Sequence, residues 1–534
     1  MEKIRNKLAV IFAAVIVVFL AVSFILNISL MEAPFNSLTE EDATLSEFVK
    51  EVQDVYKADV EYKNSYININ GLFARLTGRN TYNEVARLNN GMLTYISIPE
   101  RDMDAYADGL IELDGFLADN GIEYVYVQCP NKSDINDTLL PVGVENYGNK
   151  NANILVDNLN RAGVDVIDLR PDIAGTVELV EKYFYNTDHH WNADASFYAY
   201  VKIVNMLKQK FPNAEFDESA LLESSWERTV YEDWFLGSHG KRVGEYYAGV
   251  DDFIIYTPNF ETNMSLYIPK HRKFYSGDFE KTLIREAYLD EPNYFEETPY
   301  CTYLGGDYPL VHHVNYNAKN DIKVLIFKDS FTLATQSFLS TQVREIDVID
   351  PRYYTDSTLA EYVAASSPDI VITMINPSSF AARTYKDTGV AKAEQHVAED
   401  TAKKLGTLKT IDVVAEDGKN YKNCILTDYM GDDGAYVLKP NTKYTLTIGG
   451  AELLKGKCDG FTVALFDHAT QKVHLTYVFD FENVNEDGNY EWTFLTPELN
   501  SSRLKILVYA GLHGQTGGNT MRFTDLSITR WKAD

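Results

Sequence analysis

Lys323-Val324-Leu325-Ile326-Phe327-Lys328-Asp329-Ser330-Phe331 is the stretch on which the fold turns. Four apolar residues, Val324 to Phe327, run straight into a polar turn, and a helical pattern follows. An apolar run of that length, closed by a turn and followed by a helix, reads as a buried strand of a parallel sheet. Its last residues then lie at the carboxyl edge, where loops gather and ligands bind. A serine there can expose Oγ on a rigid support, with N–H groups of the following helical turn facing a developing oxyanion. Asp and Ser also serve as ordinary helix caps, so this stretch alone does not separate cap from nucleophile.

The same strand-and-helix rhythm appears on either side. A helix-like stretch at 104–119 precedes the apolar run 122–128, another at 152–162 precedes 164–169, and strands are expected at 345–349 and 369–375. This alternation predicts an α/β parallel sheet with flanking helices over 95–385. The Tyr-, Gly- and Pro-rich stretch 211–320 interrupts it and is expected to form loops over the sheet edge. Residues 386–405, charged and rich in alanine, predict a linker helix. From 406 to 534 the period changes to two, as in Tyr444/Leu446/Ile448, Phe461/Val463/Leu465 and Leu504/Ile506/Val508, which predicts an all-β sandwich or jelly roll.

At the other end, Lys3, Arg5 and Lys7 precede an apolar run from Leu8 to Leu30. Twenty-three helical residues rise about 34 Å, enough to cross a bilayer and long for the apolar region of a cleaved signal peptide, the alternative reading, whose weak site Ala21-Val22-Ser23 lies inside the run. Residues 1–30 are therefore expected to be an uncleaved signal-anchor, a single transmembrane helix with the rest outside the cytoplasm. Residues 31–94 then form a membrane-proximal stem. The net charge of −29 argues against nucleic acid and favours a neutral or weakly charged polymer. Cys129, Cys301, Cys424 and Cys458 show no metal-ligand spacing, so neither metal nor cofactor is expected. Cys424 and Cys458 can bridge or remain thiols.

Two further stretches carry chemistry. In Asn186-Thr187-Asp188-His189-His190-Trp191-Asn192 the Asp188 carboxylate can hold Nδ1 of His190 and leave Nε2 as a base, with His189 as a structural hydrogen-bonder; alternatively both histidines bind a metal, for which no third ligand is apparent nearby. At the end of the strand 369–375, Asn376 offers an amide to an oxyanion, or simply ends the strand in Asn376-Pro377.

Thr187-Asp188-His189-His190-Trp191, followed much later by Asp329-Ser330-Phe331, resembles the DHHW family, relatives of the alginate O-acetyltransferases AlgX and AlgJ in the SGNH-hydrolase superfamily. Pro130-Asn131-Lys132, Gly237-Ser238-His239-Gly240 and Asp350-Pro351-Arg352-Tyr353-Tyr354 agree with it, and the likeness spans about 95–385. The resemblance implies a permuted SGNH order in which Asp188 and His190 precede Ser330 as a triad. It also implies a polysaccharide acceptor at the bacterial cell surface and a multi-pass membrane O-acyltransferase as acyl donor. Lys328 stands where the family more often has Gly. Arg352, Tyr353, Asp329, His189 and Trp191 join Asn376 as oxyanion or substrate-binding candidates. The sandwich is then expected to grip the polymer as a carbohydrate-binding module does. Two rival readings stand beside it: an SGNH esterase that uses the same residues to deacetylate the polymer, and a non-catalytic polysaccharide-binding scaffold with a degenerate triad, against which an intact Ser/His/Asp set speaks.

Overall fold

The computed structural model describes residues 62–377 except 272, residue 379, most of 385–393, 399–414, residue 438, 442–467, 472–481, 484–496 except 486, then 504–511 and 518–533, with scattered positions before 62. Most of 1–30 lies outside the described residues, and the expected anchor with it. Among the described residues no helix is long and apolar enough to cross a membrane.

Eight strands form the central sheet: β1 (Glu123–Gln128), β2 (Val166–Asp168), β3 (Met264–Ile268), β4 (Lys273–Gly277), β5 (Leu310–Asn315), β6 (Lys323–Lys328), β7 (Glu345–Ile349) and β8 (Ile370–Ile375). Their order is β4-β3-β5-β7-β6-β8-β1-β2. The five strands from β7 to β2 are parallel, with register Ile326↔Val348, Val324↔Ile370, Ile372↔Val125 and Val127↔Ile167. β5, β3 and β4 extend the β7 edge antiparallel. The sheet is therefore mixed, and 211–320 is more than loops. Its short apolar runs, such as Leu310–Asn315, are broken up by His312 and His313 and lack the long alternation of a recognisable strand.

Helices cover both faces because the inner strands are apolar on both. Leu325 and Phe327 of β6 meet α1 (Asp104–Asp119), α2 (Gly148–Ala162) and α5 (Leu359–Ser366). Val324 and Ile326 meet α3 (Ala193–Lys210) and α4 (Leu333–Leu339) on the other face. Local signals set the helix ends. The Asn192 side chain accepts from Ala195 N to start α3, and Lys208 and Lys210 sit in its last turn. A Thr358/Glu361 capping box starts α5.

The C-terminal strands form two sheets. One joins Glu399–Val414, Thr520–Ala533, Lys443–Ile448 and Tyr490–Leu495, with Gly450–Lys455 also paired to Thr520–Ala533; the other joins Lys472–Asp480, Gly460–Asp467 and Leu504–Tyr509. The first of these strands begins at Glu399, inside the stretch expected as a linker helix. Antiparallel pairing over its whole length with Thr520–Ala533 overrides the helical preference of its Ala and Lys residues. The sandwich shares one apolar core with the helix layer of α1, α2 and α5. Phe461, Phe479, Tyr490, Trp492 and Phe523 lie within that core, so these rings are not presented for stacking on sugars. Cys458 is a free buried thiol, and Cys424 lies outside the described residues.

The expected stem does not stand apart. Leu93 N donates to the Asn186 carbonyl, and Tyr247 Oη donates to the Arg79 carbonyl, which ties 62–95 to the same body.

Candidate active site

The Asp188–His190 pair sits in a tight loop just before α3. An isolated bridge between Phe184 and Trp191 closes the loop, and Asn192 N donates to the Tyr183 carbonyl at 2.8 Å. The enclosed turn folds Asp188 back on the chain, so that its Oδ1 accepts from His190 N at 2.9 Å. The same oxygen meets His190 Nδ1 at 2.6 Å. That contact fixes the imidazole and leaves Nε2 pointing outward, 2.7 Å from Ser330 Oγ.

Long-range partners hold this loop from behind. Ser238 N donates to Asp188 Oδ2 at 2.6 Å. Gly237 allows that approach, because a Cβ there would lie 2.2 Å from the Asp188 Cβ. Asp251, which opens the hairpin strand Asp251–Pro258, accepts from Asn186 N and Thr187 N, each at 2.7 Å, and from Thr187 Oγ1 at 2.6 Å. Buried Lys132 donates Nζ to the carbonyls of Asn186 and Asp188, each at 2.6 Å. Burial pushes this ammonium down to about 7, against the pull of Asp251 and Asp188. Burial alone would raise the Asp188 carboxyl, but His189, His190 and the Ser238 N–H hold it well below the usual carboxylate range. His189 is pushed down to about 3, first by burial and then by His190, so it is neutral at pH 7. Its Nδ1 meets Ser238 Oγ at 2.9 Å.

Ser330 opens a single 3-10 turn after β6, with Asp329 as its cap. Asp329 accepts from Phe331 N at 3.0 Å, and from Asn376 N and Ser379 Oγ at 2.6 Å each. Its carboxyl is pushed up by burial, against Arg352 and these donors. Trp191 Nε1 donates to the Phe331 carbonyl at 2.9 Å and locks the His-bearing loop to the Ser-bearing turn. Tyr300 stacks on His190 at 3.8 Å and 11°, and its hydroxyl donates to the Ser330 carbonyl at 3.1 Å.

Beside the serine, buried Lys328 pairs with Asp307, and Arg352 spans Asp350 (2.6 Å) and Asp307 (2.9 Å). Lys328 is thus a buried cation neutralised by a loop carboxylate. Arg352 remains part exposed and lies 5.3 Å from the ring of Tyr353, itself half exposed.

The structure therefore brings Asp188, His190 and Ser330 into one hydrogen-bonded line, with His189, Trp191, Asp329 and Arg352 around it. Asn376 is tied elsewhere, its amide donating to the Pro130 carbonyl at 2.6 Å and its backbone N–H to Asp329. It stitches the ends of β8 and β1, a task the sequence does not announce. Lys132, Ser238, Asp251 and Tyr300 were not singled out as site residues, since each acts through contacts far apart in sequence. Asp188, His189 and His190 place ligand atoms within 4.8 Å of one another, a spacing that could hold a metal ion. Asp188 and His190 are already hydrogen-bonded to each other.

Residues 97–230 match the family described as the SGNH hydrolase-like domain of the acetyltransferase AlgX. No curated protein matches the chain. Among solved structures, the chain is similar to PatB1 of Bacillus cereus, at 21% identity over 55% of this chain and 96% of that one, with a TM-score of 0.47. It is similar to a DHHW family protein of Eubacterium siraeum at 21% identity over 58% and 96%, with a TM-score of 0.42. It is also similar to AlgX of Pseudomonas aeruginosa at 12% identity over 85% and 96%, with a TM-score of 0.31. Residues 97–230 are thus similar to an SGNH hydrolase-like domain, within a chain that carries additional β-sheet regions.

Proposed function

We propose that this protein is a serine O-acetyltransferase that passes an acetyl group, through an ester on Ser330, to hydroxyls of a polysaccharide outside the cytoplasm. The observation that carries the reading is the line from Asp188 Oδ1 through both nitrogens of His190 to Ser330 Oγ. The match of 97–230 to an acetyltransferase domain favours acetyl as the group moved.

In the first half-reaction His190 Nε2 takes the Ser330 proton as Oγ attacks the acyl carbon of an activated ester. The imidazolium then returns that proton to the departing alcohol, leaving acetyl-Ser330. Asp188 keeps its charge throughout and steadies the imidazolium, since its carboxyl lies far below neutrality. In the second half, His190 deprotonates a sugar hydroxyl, which attacks the ester and releases Ser330. This reading assigns the part-exposed Arg352 and Tyr353 to contacts with the acyl group or the sugar. Transfer prevails over hydrolysis when the acceptor is held in place and water is kept out.

The reading includes an anchor at 1–30, motivated by the apolar run Leu8–Leu30, and a multi-pass membrane O-acyltransferase that supplies the acyl group. The test supplies the protein with an activated acetyl ester and a panel of neutral and weakly charged oligosaccharides. Acetylated sugar appearing at the expense of free acetate is the expected result. If only free acetate forms, and acetyl is stripped from acetylated polymer, the esterase reading replaces this one.

A further inference from the structure

Helix Lys63–Leu76 is built inside out. Its buried positions are Asn68, Gly71 and Ala74, small or polar, whereas Ile69, Leu72, Phe73 and Leu76 are 40% to 74% exposed. The spacing i, i+3, i+4, i+7 aligns these four in one outward stripe, the reverse of a helix that turns its apolar stripe to the core. The inward face is fixed. Asn68 Nδ2 donates to Glu245 at 2.7 Å and its Oδ1 accepts from Glu245 N at 2.9 Å. A Cβ on Gly71 would lie 1.9 Å from the Val243 carbonyl oxygen, so the helix cannot roll its bulky side chains inward at that contact.

The charge of the segment that carries the stripe selects its occupant. Residues 62–99 carry Lys63, Arg75, Arg79 and Arg87 against Glu84 alone, a net +3 within a chain of net −29. Residues 32–61 are the opposite, with nine acidic residues and two basic. Positive charge thus begins where the outward stripe begins. A net positive segment that carries an exposed apolar stripe is the pattern of a helix lying in the interface of an anionic membrane.

We infer that Lys63–Leu76 rests on an anionic lipid surface, with Ile69, Leu72, Phe73 and Leu76 dipped below the headgroups. The inference deepens the proposed function and rests on the anchor at 1–30 assigned there. It also gives the stem a task. The inward face grips 243–247, directly after the helix Ser238–Val243 whose first N–H holds Asp188. A helix seated on the membrane would therefore hold the triad side of the domain close to the bilayer, where a membrane-embedded donor delivers its acyl group.

The test uses the full chain reconstituted into vesicles of phosphatidylcholine and phosphatidylglycerol. Nitroxide labels are placed at Phe73→Cys and, as an aqueous reference, at the exposed Leu222→Cys, with the signal of the unsubstituted chain subtracted. Lipid burial should raise the ratio of oxygen to nickel-chelate collisions at Phe73→Cys roughly tenfold above that at Leu222→Cys. Equal ratios would show the stripe in water and overturn the inference while leaving the anchor standing. Shielding from both reagents would mean that 32–61 or a second copy covers the stripe, and would overturn it too. A chain that fails to float with the vesicles would defeat the anchor reading and this inference together.

Discussion

Two His–Asp pairs in this molecule have the same contact, Nδ1 to Oδ1 at 2.6 Å, and opposite prospects. His190 and Asp188 sit in a loop at the strand ends, and the second imidazole nitrogen meets Ser330 Oγ. His312 and Asp347 face each other across β5 and β7 in the body of the sheet, where Tyr362 Oη also donates to Asp347 at 2.8 Å. There His312 Nε2 is buried without a hydrogen-bond partner. A His–Asp pair is thus a structural unit, and becomes a candidate base only where the far nitrogen reaches a nucleophile that substrate can approach.

The comparison breaks if the pairs respond alike to the same change. Asp188→Asn should lower acetyl-ester turnover by about 10⁴ through the wrong imidazole tautomer, and Ser330→Ala or His190→Ala by at least about as much, because triad losses act as a unit. Asp347→Asn should leave that rate within about twofold, since it touches no reacting atom. Comparable losses of rate from Asp347→Asn and Asp188→Asn would remove the distinction.

Gly237→Ala probes the support behind the first pair. Its Cβ must displace Asp188 or break the Ser238 N–H contact, and a displacement of about 1 Å should cost roughly 10² in rate. Wild-type turnover in this variant would mean that the Gly237 turn does not position the base. The second pair should instead be read in stability. Replacing His312 or Asp347 by Ala leaves a buried polar partner unmatched, and urea unfolding should show a loss of about 1–3 kcal/mol.

The smallest expected effect is in pH. His189 titrates near 6.5 when unfolded and about 3 when folded, so between these values the unfolded chain binds the extra proton. Its contribution to stability is therefore lost as pH falls from about 6.5 toward 3. His189→Gln should flatten that part of the stability profile relative to wild type, and identical profiles would count against a neutral, partly buried His189.

These contrasts also show what can be read in the chain alone. Asp188, His190 and Ser330 stand out because each lies in a short polar stretch at an element boundary, where burial does not explain it. The inner strands β1, β6 and β8 stand out because burial on both faces demands apolar runs, and β7 because Ile346, Val348 and Ile349 mark it as a strand. β3, β4 and β5 do not, since short antiparallel strands at one edge tolerate Ser265, His312 and His313 and depend on pairing partners chosen by the whole sheet. Glu399–Val414 read as part helix for the same reason, its strand state being imposed by Thr520–Ala533. Tyr300 and Asp251 reach the site from 110 and 61 positions after His190, and local pattern carries no trace of such contacts.

The central claim is most directly tested by trapping the acyl-enzyme. The protein is mixed with an activated acetyl ester, quenched in acid and digested, and its peptides are weighed. One acetyl group on the peptide containing Ser330, absent in Ser330→Ala and strongly slowed in Asp188→Asn, is the predicted result. Turnover of the ester with Ser330 never acetylated, or with Ser330→Ala as active as wild type, would contradict it.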